Sequence, residues 1–128
     1  MNVVWVDRLG ALSASVCALH CAVVALTPAL LSALGLSALH DERFEWAFVI
    51  STVLFAAAAA SLGQRTHHAW RISWGFALGA LALVGARVME VTGVEGGLWL
   101  ALLGGGILVG AHISNTLRCR ACAAGTCR

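Results

Sequence analysis

The chain has no lysine and no tyrosine, a single proline, and charge on only 11% of its 128 residues. Without lysine there is no Walker-type phosphate loop, no Schiff-base amine and no Ser-x-x-Lys nucleophile, so those routes to catalysis are closed. Eight arginines against six acids leave a formal charge of +2, too little and too dispersed for a nucleic-acid surface. Scarcity of charge also excludes a water-facing globule, because soluble domains carry about 25% charged residues. What fills the chain instead is apolar: 60% of its residues are hydrophobic and the mean hydropathy is +0.89. Such a composition belongs in a lipid bilayer.

A membrane-spanning helix takes about 20 mostly apolar residues, and four stretches qualify. The first, Leu9 to Leu36, carries no formal charge; the others lie between Glu45 and Arg65, Arg71 and Arg87, and Glu95 and Arg118. The third is short, and its two flanking arginines are expected to snorkel toward the headgroups. Ser37–Phe44, Gly63–Trp70 and Val88–Val94 remain as brief polar connections. The expected fold is therefore all-α, an integral membrane bundle of four transmembrane helices with antiparallel neighbours. Residues 1–117 would form the bundle and 118–128 a cytosolic, cysteine-bearing tail. The first stretch is too long for a signal-peptide core and has little basic sequence before it, so it is expected to be retained. Gly75-x-x-x-Gly79 and Gly106-x-x-x-Gly110 are read as close helix contacts. Association of two copies through such faces is left open.

Orientation follows from arginine. With the N-terminus in the cytosol, that side receives Arg8, Arg65, Arg71, Arg118, Arg120 and Arg128, and the other side only Arg43 and Arg87. The positive-inside bias puts both termini in the cytosol. Trp5, Trp46, Trp70, Trp74 and Trp99 fall near helix ends, as an interfacial aromatic belt would.

Chemistry concentrates in two places. Within the first stretch, Ser13, Cys17, His20 and Cys21 share one helical stripe: the cysteines are one turn apart and His20 borders them. Metal-capable side chains at membrane depth are costly and face a bundle interior or a water-filled cavity. A disulfide between Cys17 and Cys21 is disfavoured by helix geometry. The second cluster is Arg118-Cys119-Arg120-Ala121-Cys122 with Cys127 close behind; the arginines favour thiolate, the form that binds metal and exchanges. A reducing cytosol argues against a structural disulfide there and leaves metal binding or thiol exchange. His112 sits toward the same end of the fourth stretch as the tail, at a depth within about 5 Å of Cys17 at helical rise, either a ligand or an interhelical packing residue. His67, His68 and the His40–Glu42 cluster are read as solvated loop residues.

With these residues in view, the sequence resembles the MerC family of bacterial inner-membrane mercuric-ion transport proteins. The resemblance covers nearly the whole chain, from Asp7-x-x-Gly10 through Ser13-x-x-x-Cys17-x-x-His20-Cys21 to the cysteine-bearing tail. It implies that Cys17 and Cys21 receive the ion and that Cys119, Cys122 and Cys127 lie near its delivery. It implies transport rather than enzymatic activity, residence in the inner membrane, and a cytosolic thiol acceptor or reductase as partner. The first-helix cysteines stand further apart than is usual in mercury-resistance members, with His20 between them.

A soft cargo also follows from the chemistry. Two thiolates on a divalent soft ion make a neutral complex, which removes most of the cost of bringing a bare dication into lipid. Two sulfurs suit mercuric ion; adding His20 suits zinc or copper(I). The metal is then a transported ion and no permanent cofactor is expected. Two other readings compete: a membrane thiol-redox or metal-sensing protein using Cys119 and Cys122, and a haem protein with His20 and His112 as axial ligands. The depth mismatch between those histidines, roughly 9 Å, weighs against haem.

Overall fold

In a bilayer every backbone N–H and C=O must be satisfied within its own segment, and long apolar runs with few breakers meet that demand as helices. The computed structural model describes Trp5, Arg8, Leu9, Leu12 and residues 42–126. The four N-terminal positions are helical, and Arg8 lies 5.9 Å from the centre of the Trp5 ring. The rest of the first apolar stretch, with Cys17, His20, Cys21 and Pro28, lies outside the described residues, as does Cys127.

Among the described residues the secondary structure is helical, with no strand. The helices are α1 (Glu42–His67), α2 (Trp70–Val91) and α3 (Gly97–Ala123). Each contains an apolar segment of at least 22 residues, about 33 Å at helical rise and long enough to cross a hydrocarbon core of about 30 Å. These match the second, third and fourth expected spans.

The helices overrun the expected connections. α1 continues through Gly63, Gln64, Arg65 and Thr66, leaving only His68 and Ala69 before α2. His68 takes the left-handed conformation (φ 50°) that reverses the chain, its N–H donating to the Gln64 carbonyl. α2 ends at Gly93 (φ 71°): the Val94 N–H donates to the Met89 carbonyl at 2.8 Å and the Gly93 N–H to that of Glu90 at 3.1 Å. This paired arrangement satisfies carbonyls the helix end leaves open, and glycine is the residue that adopts it without steric cost. The same arrangement recurs at Gly125 (φ 75°), where Thr126 reaches Ala121 and Gly125 reaches Cys122. α3 therefore carries on past Arg118, and Cys119 and Cys122 belong to its last turns.

Cross-helix pairs establish the directions. Ser73 at the start of α2 donates to Gln64 at the end of α1 at 3.1 Å, while Arg87 near the end of α2 meets Glu45 near the start of α1. Asn115, late in α3, bonds to Ala59, late in α1. So α1 and α3 run parallel, with α2 antiparallel to both.

The closest approach is between α2 and α3. A Cβ on Gly79 would stand 2.7 Å from Leu108 Cγ, and one on Gly104 would stand 2.9 Å from Ala82 Cβ and 3.0 Å from the Gly79 carbonyl. Each glycine is the space the other helix occupies. Ala56, Ala59, Phe76, Leu83, Ala86, Ala101, Leu108 and Ala111 complete the core. The two Gly-x-x-x-Gly motifs part company here. Gly75 and Gly79 face α3, whereas Gly106 and Gly110 are exposed and a side chain on either would meet nothing within 4 Å.

Candidate metal pathway

One face of α3 can be followed through the bundle by its three- and four-residue spacing: Ala101, Gly104, Leu108, His112, Asn115 and Cys119, all buried. Its first half, from Ala101 to Leu108, is apolar. From His112 onward it is polar, although His112 is 0%, Asn115 1% and Cys119 7% exposed. Polar groups kept at such burial inside a membrane bundle are expensive, and they either bond across helices or line an interior path.

Each polar side chain is held by a neighbouring helix or by α3 itself. The His112 ring stands edge-on to Phe76 of α2, with centroids 4.7 Å apart and planes at 74°. Asn115 Nδ2 donates to the Ala59 carbonyl of α1 at 3.4 Å, joining the two parallel helices. Cys119 keeps its thiol and is buried. Cys122, half-buried one turn further on, is disulfide-bonded. Cys119 takes no part in that bond.

This departs from a uniformly reduced tail. The two members of the Cys-x-x-Cys are in different chemical states and are not bridged to each other. Their surroundings differ as well, because Cys119 lies on the buried face and Cys122 is rotated off it.

His112 and Cys119 are about 10.5 Å apart along the axis, too far to grip one ion together. Among the described residues no group of three or more His, Cys, Asp and Glu side chains is close enough to hold a metal. The arrangement is a file of single donors, not a closed chelate. Cys17, His20, Cys21 and Cys127 are the remaining candidate ligands, and they lie outside the described residues. Of the loop histidines, His68 is exposed at the α1–α2 turn, as expected.

At the opposite end Arg87 corrects an expectation. It does not snorkel: only 7% exposed, it bonds to Glu45 of α1 and, at 2.9 Å, to Glu90 one turn along α2. Its guanidinium carbon lies 5.9 Å from the centre of the Trp46 ring. Two carboxylates and an aromatic face within reach outweigh a distant headgroup, so the arginine turns inward. Glu42, Glu45, Arg87, Glu90 and Val91 line a shallow open depression there. Arg71, by contrast, is exposed.

Sequence reasoning passed over Asn115 as a bundle residue and Thr52, fully buried on α1. The signal for Asn115 was present in its spacing from His112 and Cys119; Thr52 has no such marker.

Three helices apolar and long enough to span a bilayer define an all-helical membrane protein. The chain belongs to the MerC family, described as MerC mercury resistance protein, whose model matches residues 7–117. Membership implies mercury-related membrane transport. No curated protein and no solved structure matches the chain.

Proposed function

We propose that this protein carries mercuric ion inward across the bacterial inner membrane by thiol-to-thiol transfer. The observation that carries the reading is the family match, which extends over the Cys17-x-x-His20-Cys21 stretch as well as α1, α2 and α3. In this reading residues 9–36 form a fourth span and both termini are cytosolic, as the arginine distribution favours. Cys17 and Cys21 receive the ion, with His20 as a third ligand when zinc or copper(I) is the cargo. Cys119, Cys122 and Cys127 receive it on the cytosolic side, Cys122 once its disulfide is reduced by two equivalents of cytosolic thiol, and His112 serves between the two groups. Each exchange is neutral in protons and electrons: the incoming thiol gives up its proton as its sulfur binds, and the departing thiolate takes one up. No energy-coupling motif is visible, so flux runs down the gradient maintained by cytosolic thiol acceptors or a reductase.

The test is accumulation in cells expressing wild type or the Cys17→Ser/Cys21→Ser double variant, presented separately with mercury, cadmium, zinc and copper. Accumulation of mercury lost in the double variant at equal protein level supports the reading. Equal accumulation of every ion by both proteins overturns it.

The disulfide at Cys122 favours a second reading, a membrane thiol-redox protein. It requires that Cys122→Ser abolish function while the first-helix double variant is silent, the reverse of the transport outcome.

A further inference from the structure

We propose that the end of the bundle at the α1–α2 turn is a binding collar for anionic phospholipid, with Arg65, Arg71, Arg118 and Arg120 holding the headgroups. The inference is independent of the cargo and does not rest on the transport reading above.

The four arginines share one level. Gln64 and Ser73 meet across the turn, so Arg65 and Arg71 lie just beyond that contact. Asn115 meets Ala59, which brings Arg118 and Arg120 of α3 alongside them. At helical rise the four fall within about 6 Å along the bundle axis, comparable with a headgroup layer of about 5–7 Å.

All four are exposed, and among the described residues none of them forms an ion pair or a side-chain hydrogen bond. No acidic residue occurs from Trp46 to Met89 or from Gly96 to Arg128, so the sequence around them supplies no carboxylate. Arg87 is the counter-example, buried at the opposite end and neutralised by Glu45 and Glu90. A guanidinium left without such a partner at a membrane boundary is complementary to phosphate, whose oxygens match its paired N–H groups.

What lies beneath the arginines identifies the carrier of that phosphate. Three of them close an outward, mostly apolar stripe of three- and four-residue spacing. On α1 the exposed stripe runs Ile50, Leu54, Ala57 and Ser61 to Arg65. On α2 it runs Leu81, Leu78 and Trp74 to Arg71, and on α3 Ile113 and Leu117 to Arg120. Trp70 and Trp74, both exposed, pack edge to face with ring centroids 5.3 Å apart, at the level where indoles meet the headgroup region. A molecule with an anionic head and long apolar chains matches this surface over its whole height. An acidic protein segment would match the arginines alone and leave the stripes uncovered. A zwitterionic head brings its own cation, which the arginines repel, so the preference is for lipids of net negative charge.

The test uses the full-length chain, purified into micelles containing equimolar phosphatidylglycerol and phosphatidylcholine of matched chains, with retained lipid counted by native mass spectrometry. Wild type is expected to retain phosphatidylglycerol about fivefold or more over phosphatidylcholine at low salt, and to lose most of that preference in about 0.5 M salt. The fourfold variant Arg65→Gln/Arg71→Gln/Arg118→Gln/Arg120→Gln should retain the two lipids about equally, while Arg43→Gln at the opposite end should behave as wild type. Should the fourfold variant fail to fold, single Arg71→Gln and Arg120→Gln variants take its place, each expected to lower the preference about twofold. Arginines that serve only to orient the chain during insertion would give the purified protein no preference. Equal retention of both lipids by wild type therefore overturns the proposal and leaves an acidic protein segment as the partner of this surface. A preference undiminished in the arginine variants overturns it as well.

Discussion

Taking the Arg87 end as outer, as the arginine distribution favours, the outer and inner halves of the three-helix interior are built on opposite principles. Outside, small residues bring backbones together, and the buried Arg87 is locked between Glu45 and Glu90. Inside, the same face of α3 offers imidazole, amide and thiol in sequence. Burial alone therefore says nothing about role: the outer half holds the helices together, and the inner half tolerates a cost that packing does not repay.

The contrast can be broken most forcefully at Gly104. Gly104→Leu forces a side chain where a Cβ already stands 2.9 Å from Ala82, and should destabilise the bundle by about 3 kcal/mol or more. Thermal unfolding in detergent micelles measures it, and Gly106→Leu on the open face of the same helix is the control. At the clamp, Glu45→Leu leaves Arg87 buried with only Glu90 and should cost about 3 kcal/mol in the same assay. Glu90→Gln, at a side chain 58% exposed, should cost less than about 1 kcal/mol. In the inner half the balance reverses. Asn115→Leu should cost about 1 kcal/mol of stability for its lost hydrogen bond, so a much larger loss of mercury accumulation would not be explained by unfolding. Most local is Gly125→Ala, which strains the left-handed stop and should cost about 1 kcal/mol, confined to faster amide hydrogen exchange in the last turn of α3.

Three of the spans were legible because apolar length is a property of each segment alone. Their ends were not, since a helix does not stop at the lipid boundary. Arg65 and Arg118 bound the apolar runs, but the helices continue to His67 and Ala123, where backbone geometry ends them. Gly125 did announce the second of these: a glycine two residues beyond Ala123 is the common helix stop. Arg87 was misread for another reason. Its partner Glu45 is on a different helix, and no local pattern links the two. The His112–Asn115–Cys119 file lay in plain three- and four-residue spacing, obscured by treating Cys119 as the start of a tail.

The continuity of α3 bears on how cargo changes hands. A helix of 27 residues, about 40 Å long, carries Cys119 as part of a rigid rod anchored in the bundle. In the proposed transport reading, its thiol cannot sweep a volume of solvent in search of a recipient, as one on a flexible arm would. Delivery is then a collision at a fixed dock, and its rate should rise in proportion to the concentration of the acceptor that comes to it.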